Sequence, residues 1–155
     1  MLRKLILVVE DTAADEALIL RTLKHSGIDV DVVVVRDGQQ ALGYLFERER
    51  HVESEHGYRR PDVILSDLNL PKVDGVELLS RVRSDAATRD IPIVLFSASP
   101  DADDRQRAYS CNVNSYVQKP VNAEDFSKVV RHVAWYWLVV NEPPAARATR
   151  RAEEP

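Results

Sequence analysis

Five short apolar runs recur along the chain, and a segment with helical periodicity follows each of them. Few polar residues interrupt the runs, which is typical of strands buried on both faces of a parallel sheet. The predicted strands are Lys4–Val9, Val30–Val35, Val63–Leu65, Ile93–Phe96 and Tyr116–Val117. Because strand and helix alternate, we predict an α/β fold with a five-stranded, doubly wound parallel sheet and helices on both of its faces.

Apolar residues spaced three and four positions apart predict the helices. Thr12 is expected to cap the first helix and Gly27 to end it, because a hydroxyl at the start and a glycine after the end are common helix boundaries. The last helix is expected to run from Ala123 to Val140. Its residues Phe126, Val129, Val130, Val133 and Trp137 recur at the spacing of a core-facing stripe.

The length and composition of the chain set the class of protein. A chain of 155 residues corresponds to about one domain, and a net charge of −4 makes DNA an unlikely partner. The single cysteine excludes an intramolecular disulfide. No apolar run approaches the roughly 18 residues of a membrane span, and the basic opening is too short for a signal peptide. We therefore expect a cytoplasmic protein that does not enter the membrane.

The domain is expected to occupy residues 1–140. Residues 141–155 contain three prolines and no large apolar side chain, so we expect a disordered C-terminal tail. The charged segment 47–60, ERERHVESEHGYRR, is predicted to finish the second helix and continue as an exposed loop. No effector domain is expected after the first domain, so the output should be a protein contact or the transfer of a phosphoryl group.

Polar side chains follow four of the predicted strands. Glu10 and Asp11 follow the first strand, Asp67 the third, Ser97 the fourth and Lys119 the fifth. In an open parallel sheet, functional groups gather at the carboxyl ends of the strands. Adjacent carboxylates repel one another unless a cation joins them, and oxygen ligands suit Mg²⁺. Since lysine can bind a phosphate, the pattern predicts a metal-assisted phosphoryl-transfer site.

These motifs resemble the receiver domain of two-component response regulators. The matching segments are VVEDT, DVILSDLNLPKVDG, LFSAS and the run Tyr116-x-x-Lys119-Pro120. The resemblance extends over roughly residues 4–140, nearly all of the chain that is expected to be ordered. It implies a flavodoxin-like sheet with strand order 2-1-3-4-5.

The resemblance also implies roles for individual residues. Asp67 would accept a phosphoryl group from a phosphohistidine of a sensor histidine kinase. Mg²⁺ would be held by the carboxylates of Asp11 and Asp67, by Glu10 through a water molecule, and by the backbone carbonyl of Asn69.

Three further residues would respond to the phosphoryl group. Lys119 would contact its oxygens, Ser97 would donate a hydrogen bond to it, and the Tyr116 side chain would change rotamer with that movement. The resemblance also implies a cis peptide bond between Lys119 and Pro120, which costs only about 0.5–1 kcal/mol before proline.

The sequence is similar to a narrower group, the small stand-alone regulators paired with bacterial phytochromes. The segment DLNLPKVDG, the charged loop and the tryptophan-rich last helix carry this similarity. It makes a bacterial phytochrome a candidate kinase partner.

The end of the last helix predicts self-association. Residues 135–140 read WYWLVV, and Trp135, Tyr136, Leu138 and Val139 are expected on faces other than the core-facing stripe. We expect a homodimer formed by the fourth helix, the fifth strand and the last helix, including Trp135 and Trp137. The alternative is that this segment binds a kinase or a downstream target.

Other interpretations of the same residues stay open at this stage. Glu10 and Asp11 are also compatible with a strand end facing a helix dipole, Asp67 with an Asx turn, and Lys119 with a solvated surface position. A phosphohydrolase would carry Asp-x-Asp after its first strand, which is absent here, so we expect a signalling protein and not an enzyme. A scaffold that has lost phosphorylation is disfavoured by the complete set of site residues. The histidines show no ligand spacing: His25, His51, His56 and His132.

Overall fold

The structure is a computed structural model that describes residues 3–47 and 58–145. The predicted exposed loop falls mostly on residues 48–57, and most of the predicted disordered tail falls on residues 146–155. Both predictions therefore lie outside the described residues.

The chain forms the predicted five-stranded sheet. The strands are β1 (Lys4–Val9), β2 (Val30–Val35), β3 (Val63–Ser66), β4 (Ile93–Ser97) and β5 (Ser115–Gln118). Every neighbouring pair is parallel, and the strand order is β2-β1-β3-β4-β5. The predicted fold class and strand order are confirmed, and each strand lies within two residues of its expected limits.

Alternate strand residues enter two separate cores, which explains why the strands are apolar on both faces. On β1, Leu7 and Val9 belong to one core, whereas Ile6 and Val8 belong to the other. The helices that complete the first core contribute Ala41, Leu78, Leu79, Val82 and Ala108. Those that complete the second core contribute Ile19, Leu23, Phe126, Val130 and Ala134.

Five α-helices flank the sheet. They are α1 (Ala13–Lys24), α2 (Gly38–Leu42), α3 (Gly75–Ser84), α4 (Ala102–Ser110) and α5 (Ala123–Trp135), and π-helical turns extend α2 over Gly43–Glu47 and α5 over Tyr136–Val140. None of the helices within residues 3–47 and 58–145 is both long and apolar enough to cross a lipid bilayer.

Side-chain caps begin four of these helices. The side chains of Asp37, Asp74, Asp101 and Asn122 each accept a hydrogen bond from a backbone amide in the first turn of α2, α3, α4 and α5. The cap predicted for α1 is wrong in this detail. Thr12 stands at the capping position, but its side chain makes no capping hydrogen bond. Its backbone amide instead donates to Oε1 of Glu10, 3.1 Å away.

The last helix departs from the prediction at Leu138. We expected Leu138 on an outer face, but it is buried in the core of α1 and α5. The reason is its spacing, because Phe126, Val130, Ala134 and Leu138 lie four residues apart and continue one face into the π-helical turn. Trp137 packs half-buried against the same core, as its place in the predicted stripe requires.

Candidate functional site

The carboxyl ends of β1 and β3 bring the predicted acidic residues together. The Asp67 amide donates to the Val9 carbonyl at 2.9 Å, which keeps the two strands paired up to the site. Glu10, Asp11 and Asp67 each offer a carboxylate oxygen, and these oxygens lie within 4.8 Å of one another. Glu10 and Asp67 are buried, whereas Asp11 is exposed. The three carboxylates therefore form one cluster at the carboxyl ends of β1 and β3.

Lys119 lies inside this cluster. Its backbone amide donates to the Ser97 carbonyl at 2.7 Å, which fixes the end of β5 beside the end of β4. Its Nζ atom donates to Oε2 of Glu10 at 2.8 Å and to Oδ2 of Asp67 at 3.0 Å. Nζ also lies 5.7 Å from the centre of the Phe96 ring. Lys119 therefore places a positive charge within hydrogen-bonding distance of two of the three carboxylates.

Burial and neighbouring charges shift the pKa values of Glu10 and Lys119. Burial raises the pKa of Glu10 to about 6, and the nearby charge of Asp67 adds to the rise while the hydrogen bond from Lys119 opposes it. Burial alone would lower the pKa of Lys119, but its hydrogen bonds to Glu10 and Asp15 and the charge of Asp67 raise it above its usual value. Lys119 is therefore a permanent positive charge in the site.

Asp15 is a residue of the site that the sequence motifs did not predict. It lies in the first turn of α1, and its Oδ2 atom accepts a hydrogen bond from Nζ of Lys119 at 2.9 Å. The available signal was its spacing from the apolar residues of α1, because Asp15 precedes Ile19 by four residues and residues four apart lie on one face of a helix. Spacing alone does not show that this face turns towards the end of β5.

Two backbone amides near the strand ends bind site side chains. The Ser99 amide donates to Oγ of Ser97 at 3.0 Å, and the Asn69 amide lies 3.3 Å from Oδ1 of Asp67. Ser97 is fully buried, whereas Asn69 is exposed. Ser99 also donates from its own hydroxyl to Oδ2 of Asp104 at 2.9 Å, which ties the β4–α4 loop to the first turn of α4.

Tyr116 lies on β5, opposite Leu95 of β4. Its side chain is half-buried against the core formed by α2, α3 and α4. Among the described residues its buried hydroxyl has no hydrogen-bond partner. Packing alone therefore holds the ring, and a change of rotamer would break no hydrogen bond of the hydroxyl.

The Lys119–Pro120 peptide bond differs from the prediction. No peptide bond among residues 3–47 and 58–145 is cis, so this bond is trans. Trans is the form that an X–Pro bond intrinsically prefers, by about 0.5–1 kcal/mol.

The loop between β3 and α3 depends on a close backbone approach. The Gly75 amide donates to the Leu68 carbonyl at 2.8 Å. A Cβ atom on Gly75 would lie only 2.4 Å from the Asp67 carbonyl oxygen. Glycine at this position therefore lets α3 begin directly against the backbone that carries Asp67.

The donor set fits a hard divalent cation. It consists of carboxylate oxygens within reach of one another and contains no sulfur or imidazole, which is the ligand chemistry of Mg²⁺ and Mn²⁺ and not of Zn²⁺ or copper.

Residues 6–131 match the family model of the response regulator receiver domain. The chain belongs to this family. It is a receiver-domain response regulator of a two-component system, as the motifs at the strand ends predict.

Individual relatives cover nearly the whole receiver chain. Response regulator Rcp1 from Synechocystis sp. is 38% identical over 143 residues, which cover 92% of this chain and 95% of Rcp1. The probable methanogenesis regulatory protein FilR2 from Methanothrix harundinacea is 40% identical over 140 residues, which cover 90% of this chain and 87% of FilR2.

Solved receiver structures have the same fold. The phosphorylated cyanobacterial phytochrome response regulator RcpA superimposes with a TM-score of 0.84 at 38% identity, covering 93% of this chain and 100% of RcpA. The Mn²⁺-bound form of Rcp1 superimposes with a TM-score of 0.80 at 38% identity, covering 92% of this chain and 99% of Rcp1. The similarity to small phytochrome response regulators is thereby confirmed.

Proposed function

We propose that this response regulator is phosphorylated on Asp67 by a sensor histidine kinase and that phosphorylation alters a protein-interaction surface. The observation that carries the proposal is the position of the Asp67 carboxylate. It lies at the end of β3, within 4.8 Å of the ligand oxygens of Glu10 and Asp11 and 3.0 Å from the ammonium of Lys119. A nucleophile between a metal-ligand cluster and a fixed cation is the arrangement that phosphoryl transfer needs.

The proposed reaction transfers one phosphoryl group. A carboxylate oxygen of Asp67 forms the new O–P bond as the P–N bond of the phosphohistidine breaks, and the electron pair of that bond leaves with the imidazole nitrogen. The chain contributes the nucleophile and the positive charge of Lys119, which stabilises the negative charge on the phosphoryl oxygens. The protein is thus proposed to be a phosphoryl acceptor and not an enzyme with a separate substrate.

Mg²⁺ is the proposed metal cofactor. The carboxylates of Glu10, Asp11 and Asp67 and the backbone carbonyl of Asn69 would hold it, with Glu10 acting through a water molecule. When bound, the ion would neutralise charge on the carboxylates and on the phosphoryl oxygens. The Mn²⁺-bound form of the relative Rcp1 supports a divalent ion in this family.

Ser97 and Tyr116 are the proposed responding residues. The Ser97 hydroxyl lies at the end of β4 and accepts a hydrogen bond from the Ser99 amide. If it turns to the phosphoryl group, that amide loses its acceptor and the β4–α4 loop is free to shift. The Tyr116 ring, whose hydroxyl has no partner among the described residues, would follow this loop.

A bacterial phytochrome kinase in the cytoplasm is the proposed donor. The name of RcpA, a cyanobacterial phytochrome response regulator whose fold covers 93% of this chain, supports the assignment. So do the sequence segments that the chain shares with this group of regulators.

A homodimer is the proposed form of the free protein. Trp135, Tyr136, Val139 and Val140 are large apolar residues that remain exposed at the end of α5, and we name these four the C-terminal patch. Tyr109 is a further exposed aromatic residue, on α4. A second copy of the chain would cover the same residues on both protomers, since a twofold interface repeats every contact.

The test is transfer of labelled phosphate from kinases of the same genome, phytochrome kinases included. We expect Mg²⁺-dependent labelling of the wild-type protein, no labelling of Asp67→Asn, and normal labelling of Asp103→Asn, an exposed aspartate on α4. Mass spectrometry should show one added phosphoryl group. Equal labelling of the wild type and Asp67→Asn would refute the role of Asp67. A fast donor outside the phytochromes, with no transfer from phytochrome kinases, would refute the choice of partner.

A further inference from the structure

We propose that Asp15 restrains the Lys119 ammonium in the unphosphorylated protein and thereby slows phosphorylation of Asp67. The inference rests on the proposed function of Asp67. It concerns a residue on α1 that lies outside the metal-ligand cluster and acts on the reaction through Lys119, so Asp15 is a positioning residue.

Three carboxylate oxygens occupy the donors of Lys119. An ammonium group has three N–H bonds. Its Nζ atom donates to Glu10 at 2.8 Å, to Asp15 at 2.9 Å and to Asp67 at 3.0 Å. No N–H is left over for a phosphoryl oxygen, so phosphoryl transfer requires that at least one of these contacts lengthen or break.

The three acceptors differ in what else binds them. Glu10 and Asp67 belong to the carboxylate cluster that would hold a divalent cation, so the positive charge of a bound cation would weaken the attraction of both carboxylates for Lys119. Asp15 does not belong to that cluster. With such a cation bound, Asp15 would remain as the acceptor of Lys119 outside the cluster, and an incoming phosphoryl oxygen would compete with it for the ammonium.

Asp15 is also placed where it can be changed without damage to the core. Its side chain is 26% exposed, whereas those of Glu10 and Lys119 are 2% and 6% exposed. It borders a surface pocket of about 310 Å³ that Leu18, Lys119 and Val121 also line. Its carboxylate therefore adds negative charge directly beside Lys119, where that lysine borders the pocket.

The test compares phosphorylation rates with acetyl phosphate at saturating Mg²⁺. Asp15→Asn keeps the shape of the side chain and removes its charge, so we expect it to react roughly three- to tenfold faster than the wild type. Asp15→Glu keeps the charge and should stay near the slow wild-type rate. Asp103→Asn, an exposed residue of α4, changes the net charge equally and should leave the rate unchanged.

The result that overturns the proposal is an Asp15→Asn rate equal to or below that of the wild type. Equal acceleration by Asp103→Asn would also overturn it, because the effect would then follow net charge and not the contact with Lys119. Thermal unfolding and Mg²⁺ titration of each variant show whether a rate change comes from lost folding or lost metal. A wild-type protein that acquires no phosphate on Asp67 would instead refute the proposed function itself.

Discussion

Nζ of Lys119 lies 2.8 Å from Oε2 of Glu10, although 109 positions separate the two residues in the chain. Both side chains are almost completely buried. Glu10 follows β1 and Lys119 follows β5, so the contact joins the ends of these two strands. It also provides a hydrogen bond to the Glu10 carboxylate, whose pKa is raised to about 6 by burial. The negative charge of the carboxylate cluster is therefore neutralised in part by Lys119.

The first prediction concerns removal of that lysine. Lys119→Met leaves Glu10 and Asp67 buried without their cation, and breaking a buried ion pair costs about 3–5 kcal/mol. We expect a large loss of stability in EDTA and a partial recovery in Mg²⁺, because the metal can replace the missing charge. Urea unfolding under both conditions measures the effect. The prediction fails if the loss of stability is the same with and without Mg²⁺.

The second prediction uses two glycines with different surroundings. Gly75→Ala would place a Cβ atom 2.4 Å from the Asp67 carbonyl oxygen, so the backbone of the site must shift. We expect a loss of about 1–3 kcal/mol, as for other overpacked positions, together with slower phosphorylation of Asp67.

The matched control for that substitution is Gly27→Ala. Gly27 has a φ of 78° but open space around its Cβ position. It should lose about 1–2 kcal/mol through the left-handed backbone alone and be phosphorylated normally. Normal phosphorylation of Gly75→Ala would show that the close approach does not position Asp67.

The residues at the strand ends are the part of the site that the sequence predicts. The order of elements predicts a parallel sheet, and the carboxyl ends of its strands must meet at one edge. Glu10, Asp11, Asp67, Ser97 and Lys119 could therefore be placed from the sequence.

Other details depend on geometry that local patterns do not encode. Asp15 contacts Lys119 only because α1 turns that face towards β5, and this rotation is set by the packing of Ile19 and Leu23. The burial of Leu138 depends on the π-helical turn at the end of α5. The trans bond before Pro120 could not be predicted because the two isomers differ so little in free energy.

The third prediction concerns the pH dependence of stability. Burial raises the pKa of Tyr44 to about 12, and the nearby Tyr58 contributes to the rise. Between pH 10 and pH 12 the folded protein holds this proton while the unfolded chain releases it, so the free energy of unfolding falls as pH rises. Tyr44→Phe should show a shallower fall above pH 10, measured by urea unfolding from pH 8 to pH 11.5.

The Tyr44 hydroxyl also makes a hydrogen bond whose loss should lower the stability of Tyr44→Phe near neutral pH. Its hydroxyl donates to the Arg59 carbonyl at 2.7 Å. Tyr44→Phe should therefore cost about 0.5–1.5 kcal/mol at pH 8, the usual net value of one hydrogen bond. Identical slopes for the wild type and the variant above pH 10 would contradict the raised pKa of Tyr44.

The last prediction concerns the C-terminal patch. Half of the Trp135 surface is exposed, at 51%, and fully burying a large apolar side chain contributes roughly 1.5–3 kcal/mol. Two copies of the patch facing each other would bury such groups twice, which can offset the entropy lost on association. We expect sedimentation equilibrium at tens of micromolar to show a dimer for the wild type. We expect weaker association for Trp135→Glu and Tyr109→Glu.

Val121→Glu provides the matched control for these substitutions. Val121 is an exposed apolar residue in the loop before α5, at the opposite end of that helix from Trp135. The same change from apolar to acidic should leave the dimer intact there, because the loop lies far from the C-terminal patch. All three variants should keep the fold, since each replaced side chain is exposed. Trp135→Glu and Tyr109→Glu should also keep the phosphorylation of Asp67. A wild-type protein that sediments as a single species near 17.5 kDa, with or without phosphorylation, would refute the homodimer.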